Sequence, residues 1–243
     1  QDFNIVGGIL AYFDIEKNLQ IIHQLYPNIS EFSLLTDNSL GGVTMQAFVR
    51  DKVTGVKGVN MHYIDGRNES YDSMLRTIRK MHGNKALILG TWRVDCNENF
   101  AMGNSAMQVR EANPELPVFT ISGIGMNGLA IGGYYPDFRH DGERLAEMCM
   151  AYLERFEHQG LVYVSNSFYF DYQLLENFKI NFDSLPSESN ILNKPVSFFD
   201  EYKDWFIGAG ILAVILALSQ LITLHFVVKL RRMKEELQAQ SEE

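Results

Sequence analysis

ALILGTWRVDCNENFAMGNSAMQVREANPELPVFTIS, residues Ala86–Ser122, decides the fold class of this 243-residue chain. It opens on a short, continuous apolar run, ALILGTW (Ala86–Trp92), passes through a helical pattern, AMGNSAMQVREA (Ala101–Ala112), and closes on a second apolar run, LPVFTIS (Leu116–Ser122). A strand with no polar face is covered on both sides, and two of them joined through a helix make a βαβ unit of a parallel sheet.

The same pattern extends in both directions. Upstream, FSLLTD (Phe32–Asp37) runs into the turn and helix-start signals of DNSLGG, Val43–Lys52 reads as helix, and VKGVNMHYI (Val56–Ile64) as strand. SYDSMLRTIRKM (Ser70–Met81) is amphipathic, with Met74, Ile78 and Met81 on one face and Ser70 available as an N-cap. Downstream, LAIGGYY (Leu129–Tyr135) reads as a short strand. DGERLAEMCMAYLERF (Asp141–Phe156) reads as a long helix with Leu145, Met148, Cys149, Tyr152, Leu153 and Phe156 along one side. LVYVSNSFYFD (Leu161–Asp171) alternates and is rich in β-branched and aromatic residues, which predicts one strand. DYQLLENFKI predicts a short helix, and LPSESNILNKP a connection punctuated by Pro and Asn. The sequence has neither an internal repeat nor a low-complexity segment.

Beyond this α/β region, Trp205–Val228 (WFIGAGILAVILALSQLITLHFVV) contains no formally charged side chain, and Lys229, Arg231, Arg232 and Lys234 follow at once. About 20 apolar residues cross roughly 30 Å of hydrocarbon at about 1.5 Å per residue, so 205–228 predicts a transmembrane helix. The basic cluster assigns the following residues to the cytoplasm and 1–204 to the outside. Phe226, Leu230, Met233 and Leu237 recur at spacings of four and three, the a/d seam of a dimeric signalling helix or the face of a solvated amphipathic tail. Ser219 and Gln220 fall mid-span, where a polar amide gains from a partner helix, and Gly208 and Gly210 permit close approach. The predicted homodimer contacts are therefore Gly208, Gln220, Leu230, Met233 and Leu237; Gln220 bonding its own backbone is the alternative.

Composition narrows the function classes. Lys plus Arg number 21 against 30 Asp plus Glu, a net charge of −9. The tail from Lys229 is balanced, so the excess lies on the outer part, and a nucleic-acid partner is excluded for want of a basic face. Two cysteines, Cys96 and Cys149, imply no disulfide framework. The opening QDFNIVGG lacks an initiator Met and a signal-peptide pattern, which for an exported domain points to a fragment or processed form.

Gly123, Gly125 and Gly128 spell G-x-G-x-x-G after a strand, yet the following LAIGGYYP is strand-like, whereas a dinucleotide site needs a helix N-terminus there. The six histidines are scattered without metal-ligand spacing, so no metal and no cofactor is expected. Ser105 and Ser122 lack a nucleophile elbow, so no catalytic residue is expected and the residues present predict no enzyme. Binding is the stronger expectation, because parallel sheets collect ligands beyond the carboxyl ends of their strands. The residues at those ends are Thr36, Asp37, Asn38 and Ser39 after the first strand, Gly90, Thr91, Trp92 and Arg93 after the third, Ser122, Gly123 and Asn127 after the fourth, and Tyr134 and Tyr135 after LAIGG; Asp37, Asn38, Trp92, Ser122 and Tyr134 are the leading candidates among them. Each also has a local reading: Asp37 and Asn38 as turn or cap residues, Trp92 as core, Tyr134 as packing under a loop.

LPVFTISGIGMNGLAIGGYYPDFRHDGERLAEMCMAYLERF (Leu116–Phe156) combines a P-V-F strand, a loop, A-I-G-G-Y, and a D and a G opening a helix. FDYQLLENFKINFDSLPSESNILNKPVSFFDEYKDW (Phe170–Trp205) adds a D-Y-x-x-L helix, L-P, N-K-P and an aromatic helix. Together, over about residues 30–204, this order resembles the ABC-type substrate-binding-protein family of the periplasmic-binding fold, as used in the sensor domains of bacterial membrane receptors. The resemblance implies Rossmann-like lobes of periplasmic-binding type I, a small organic ligand between them, and a histidine kinase, often hybrid, or a cyclase beyond the membrane. One departure is that the opening of the family's first lobe is absent. Residues 28–117 are expected to form the complete lobe and 118–190 part of the other, followed by the span at 205–228 and a cytoplasmic coiled-coil start at 229–243.

These expectations describe an extracytoplasmic solute sensor of the bacterial inner membrane, single-pass, signalling to an output domain beyond Glu243. The rival is a membrane-tethered substrate-binding component of an ABC-type transporter. A receptor needs the seam after the basic cluster, whereas a tether needs nothing there.

Overall fold

The computed structural model describes residues 7–56, 58–101, 103–155 and 160–241, with the side chains at 200 and 235–241 excepted. In chain order the elements are β1 (Gly7–Leu10), α1 (Ile15–Leu25), β2 (Glu31–Thr36), α2 (Leu40–Val53), β3 (Asn60–Asp65), α3 (Tyr71–Arg79), β4 (Lys85–Leu89), α4 (Ser105–Ala112) and β5 (Val118–Thr120). They continue as β6 (Gly132–Pro136), α5 (Phe138–Arg155), β7 (Gly160–Tyr163), β8 (Asn166–Asp171), α6 (Tyr172–Asn177), β9 (Ser189–Leu192), α7 (Phe198–Glu201) and α8 (Lys203–Ser241). Two compact units result, 1–194 and 195–243.

In the N-terminal unit, seven strands form one sheet in the order β3-β2-β4-β5-β6-β8-β9. The first five are parallel, β8 runs antiparallel to β6, and β9 is parallel to β8. Adjacent apolar residues on a strand face opposite sides, so an all-apolar strand needs cover twice over. Phe32, Leu34, Ile88 and Phe119 meet Ile15, Leu19 and Ile22 of α1, Val49 of α2, and Leu174 and Leu175 of α6. Leu35, Leu87, Leu89 and Val118 meet Met74 and Ile78 of α3 and Val109 of α4. Leu34, Leu35, Leu87 and Ile88 are withdrawn from water completely, each burial worth about 1.5–3 kcal/mol. Ser70 caps α3 by accepting from Ser73 N, and Met74, Ile78 and Met81 are buried, as the sequence predicts.

β1 and β7 make a separate two-stranded parallel sheet, in register from Gly7↔Gly160 to Leu10↔Tyr163. α5 packs on it through Met148, beside Gly7. The chain therefore passes between the sheets after β1, between β6 and α5, and between β7 and β8.

Three sequence expectations change. The division at 117/118 does not separate two lobes, because Leu87↔Val118 and Leu89↔Thr120 register β5 directly on β4. β5, β6, β8 and β9 all stay in the large sheet, and only α5 and β7 join β1 in the small one. Leu161–Asp171 is two strands, since the chain leaves the small sheet at Tyr163 and reaches the large one at Asn166. On α5 only Met148 is buried, while Leu145, Cys149 and Leu153 are exposed and Phe156 lies outside the described residues.

In the C-terminal unit, α8 is the one helix among the described residues long and apolar enough to cross a membrane, and its side chains are exposed. It continues without a break past the basic cluster to Ser241. Leu230 and Met233 are exposed on it, and the Leu237 side chain lies outside the described ones.

Candidate functional site

The parallel strands follow the doubly wound order in which the second strand, β3, lies outside the first, β2, and the rest add on the other side. The direction of winding reverses between β2 and β4, the position at which such sheets hold ligands, and here the loops after those two strands are joined to each other. Asp37, Asn38 and Ser39 stand after β2, and Gly90, Thr91, Trp92 and Arg93 after β4.

Asp37 is 1% exposed, and its carboxylate ties the two loops together. Oδ1 accepts from the Ser39 amide at 3.1 Å, the Ser39 hydroxyl at 2.6 Å and the Thr91 hydroxyl at 2.9 Å. Oδ2 accepts from the Arg93 amide at 2.6 Å. Ser39 in turn caps α2 by accepting from Gly42 N at 3.1 Å, and a Cβ at Gly42 would collide with Asp37. A buried carboxylate with this many donors organises backbone: Asp37 makes the turn, and Ser39 is the residue that caps α2. Asn38 joins the same frame: its amide donates to Val94 O at 2.8 Å and its side chain to Asp95 O at 3.5 Å.

Trp92 packs on the α3 side of the sheet, edge-on to Tyr71 with ring centroids 5.1 Å apart. Beneath it, buried Asp95 accepts from the amides of Tyr71, Asn97 and Asn99 at 2.9–3.0 Å. Burial opposes the charge on Asp95, but these donors outweigh it and hold the carboxyl below its ordinary value.

Ser122, after β5, donates to Gly90 O at 2.9 Å and so couples the β4 and β5 loops. It also borders an open concavity of about 370 Å³ lined by Ser122, Gly123, Tyr135, Asp137, Phe138 and Tyr169, among others. The floor is the Tyr135–Tyr169 pair, stacked at 4.7 Å with 25° between ring planes. Gly123, at φ +80°, crosses directly over the Tyr135 ring, a backbone path and clearance that suit only glycine. Burial, then the charges of Tyr169 and Asp137, push the Tyr135 hydroxyl up; burial and a hydrogen bond to Asp137 push Tyr169 up to about 12. On Asp137, burial is outweighed by the amides of His140 and Arg139 and the Tyr169 hydroxyl, so its carboxyl is held down and stays ionised. Asp141 moves the other way, raised by burial and by the neighbouring Asp137 charge.

Tyr134 faces the opposite side of the sheet. Its hydroxyl accepts from Lys17 Nζ at 3.2 Å, and its backbone N and O are both engaged by Asn18, at 2.8 and 2.7 Å. Period-two alternation on β6 puts the next residue, Tyr135, in the place expected for Tyr134. Of the five sequence candidates, Asp37, Asn38 and Ser122 thus share one connected loop system, Trp92 packs behind it, and Tyr134 lies apart. Tyr135 stands among the strand-end residues read from the sequence, whereas Asp137 and Tyr169 do not; the signal available for Asp137 was the GGYYPD segment, whose carboxylate continues the strand end. No group of three or more His, Cys, Asp or Glu placed to hold a metal occurs among the described residues.

No protein-family model matches the sequence, and neither does any curated protein. Solved structures do. A conserved domain protein from Vibrio cholerae aligns at TM-score 0.54 and 13% identity, over 76% of this chain and 62% of that one. The ABC domain in complex with L-Trp from Streptococcus pneumonia aligns at 0.55 and 12%, over 74% and 62%. A ligand-free, open substrate-binding protein with adhesive properties from Clostridium difficile aligns at 0.57 and 14%, over 78% and 63%. The mixed α/β architecture with its parallel sheet matches substrate-binding-protein folds, and the chain spans less than two thirds of the length of these structures.

Proposed function

We propose that the N-terminal unit binds a small organic solute outside the cytoplasm of a bacterial cell, and that α8 crosses the inner membrane once and carries the bound state to a cytoplasmic output domain, a histidine kinase in the leading reading. The observation that carries solute binding is the concavity beside Ser122, with its stacked Tyr135–Tyr169 floor and ionised Asp137 at the rim. It lies beyond the carboxyl ends of β5 and β6, on the edge of the sheet where parallel strands collect ligands, though not at the β2/β4 reversal itself. One structural neighbour holds L-Trp, an aromatic solute of suitable size. The chain's own part is recognition, not catalysis.

Continuity of α8 from Lys203 to Ser241 favours signalling over tethering, because a tether needs no helix beyond its basic anchor. A ligand shifts a two-state receptor only by its differential affinity for the two forms, so output should follow occupancy. Gln220 near mid-span, with Gly208 above it, supports a homodimer within the bilayer. Single cysteines scanned through 216–224 in membranes should crosslink on one face; an even response removes the dimer.

The binding test is calorimetric titration of the full chain in detergent with L-Trp, other amino acids, amines and small carboxylates. Saturable binding of at least one is expected. Tyr135→Ala should weaken it about tenfold or more, roughly 1.4 kcal/mol. Affinity unchanged in Tyr135→Ala and Tyr169→Ala rejects this concavity. Binding without any change in kinase output in the full receptor leaves the transporter-tether reading in its place.

A further inference from the structure

We propose that the aromatic cluster ahead of the long helix is a collar that seats in the headgroup layer of a lipid bilayer, at the end of α8 opposite the basic residues. Within nine residues the chain carries Phe198, Phe199, Tyr202, Trp205 and Phe206. Four of these rings pack on one another: Phe198 lies 4.8 Å from Tyr202 and 6.0 Å from Phe206, and Phe199 lies 5.5 Å from Phe206. Packing does not withdraw them, since Phe199 is 71% and Trp205 78% exposed. A contiguous exposed apolar patch marks an interaction surface, and Trp and Tyr concentrate at membrane–water boundaries, where an apolar ring and a polar edge are both accommodated.

Length along the helix identifies the partner. If the hydrocarbon ends at Val228, just before Lys229, about 20 residues counted back reach Ala209. Trp205 is then four residues farther out, about 6 Å at the helical rise, inside an interfacial layer about 5–7 Å deep. Tyr202, between α7 and α8 at φ −106°, ψ 14°, interrupts the helix. The break brings Phe198 and Phe199 onto Phe206 in the first turn of α8 instead of farther along its axis. Asp200, Glu201 and Asp204 outnumber the single Lys203 in this segment, so ring partitioning and not attraction to anionic lipid provides the affinity, and zwitterionic lipid suffices.

The inference rests on α8 spanning the bilayer, which resistance to alkaline carbonate extraction tests separately. The collar is tested by tryptophan quenching in phosphatidylcholine vesicles brominated either near the carbonyl end or near the methyl end of the acyl chains. Trp92 is the only other tryptophan, so the difference between the wild-type chain and Trp205→Phe isolates Trp205. The expected result is that the shallow bromines remove the larger share of Trp205-dependent emission, with no anionic lipid present. Stronger quenching by the deep bromines, equal quenching by both or by neither, or quenching that requires anionic lipid overturns the collar. Any of these, found in a chain that resists carbonate, leaves the membrane span intact.

Discussion

Asp37 reads in the sequence both as a ligand candidate and as a turn or cap residue, and in the structure its carboxylate fastens two loops. Asp37→Ala removes the acceptor of four hydrogen bonds at a position closed to water, and the orphaned donors should cost about 3 kcal/mol of stability, read as a lower urea midpoint at unchanged slope. Asp95 behaves similarly and adds a pH signature. Its folded carboxyl titrates below the ordinary value of 3.8, so the unfolded chain binds the proton first as pH falls. The stabilisation is complete well above 3.8 and is lost as pH drops through that value toward the folded one. Urea midpoints measured from neutral pH downward should fall in that window, and Asp95→Asn should lower the neutral midpoint and flatten the fall. The tyrosine pair gives the residue-scale lesson on legibility: GGYY identifies a strand end, but which tyrosine faces the concavity depends on strand register, and register is fixed by β8 across the sheet.

Among the elements, those readable in the sequence were the ones whose own side chains carry the burial pattern. β2, β4 and β5 are continuous apolar runs because both faces are packed, and α3 is an amphipathic pattern with a serine cap because one face is. Elements defined by distant partners were not readable. β9 (Ser189–Leu192) hides in a Pro- and Asn-rich connection, and is a strand because β8 offers it an edge at Phe168–Asp171. The split between β7 and β8 has no local signal either, since Tyr163 and Asn166 go to different sheets within three residues. Close approach of strands yields a sharp prediction at Gly133: a Cβ there would meet Thr120 O and crowd Asn18 Oδ1. Gly133→Ala should cost about 3 kcal/mol by overpacking, visible as a lowered thermal midpoint, while Gly128→Ala, with open space around it, should be limited to the strain of its positive φ.

On the scale of the whole molecule, the seven-stranded sheet and the β1–β7 pair are unequal partners. An isolated two-stranded sheet is marginal in water, and here Leu10, Leu161 and Tyr163 on it are exposed, as are Leu145 and Leu153 of α5. Amide hydrogen exchange should divide the N-terminal unit accordingly, with β1, β7 and α5 opening at lower free energy than β2, β4 and β5. Uniform protection across both sheets would mean that they unfold as one. The apolar stripe read along α5 is present, and among its described residues only Met148 is buried.

The pairing of Gly7 with Gly160 also has a consequence in time. β1 leaves the ribosome roughly 150 residues before its partner strand exists, and at about 5–20 residues per second that is on the order of 8–30 s of synthesis. Throughout that interval the nascent chain displays an unpaired GGIL edge while the large sheet is being completed beside it. The strand that comes first in the chain therefore waits for a partner made about 150 residues later, and its edge is open to other chains until β7 emerges.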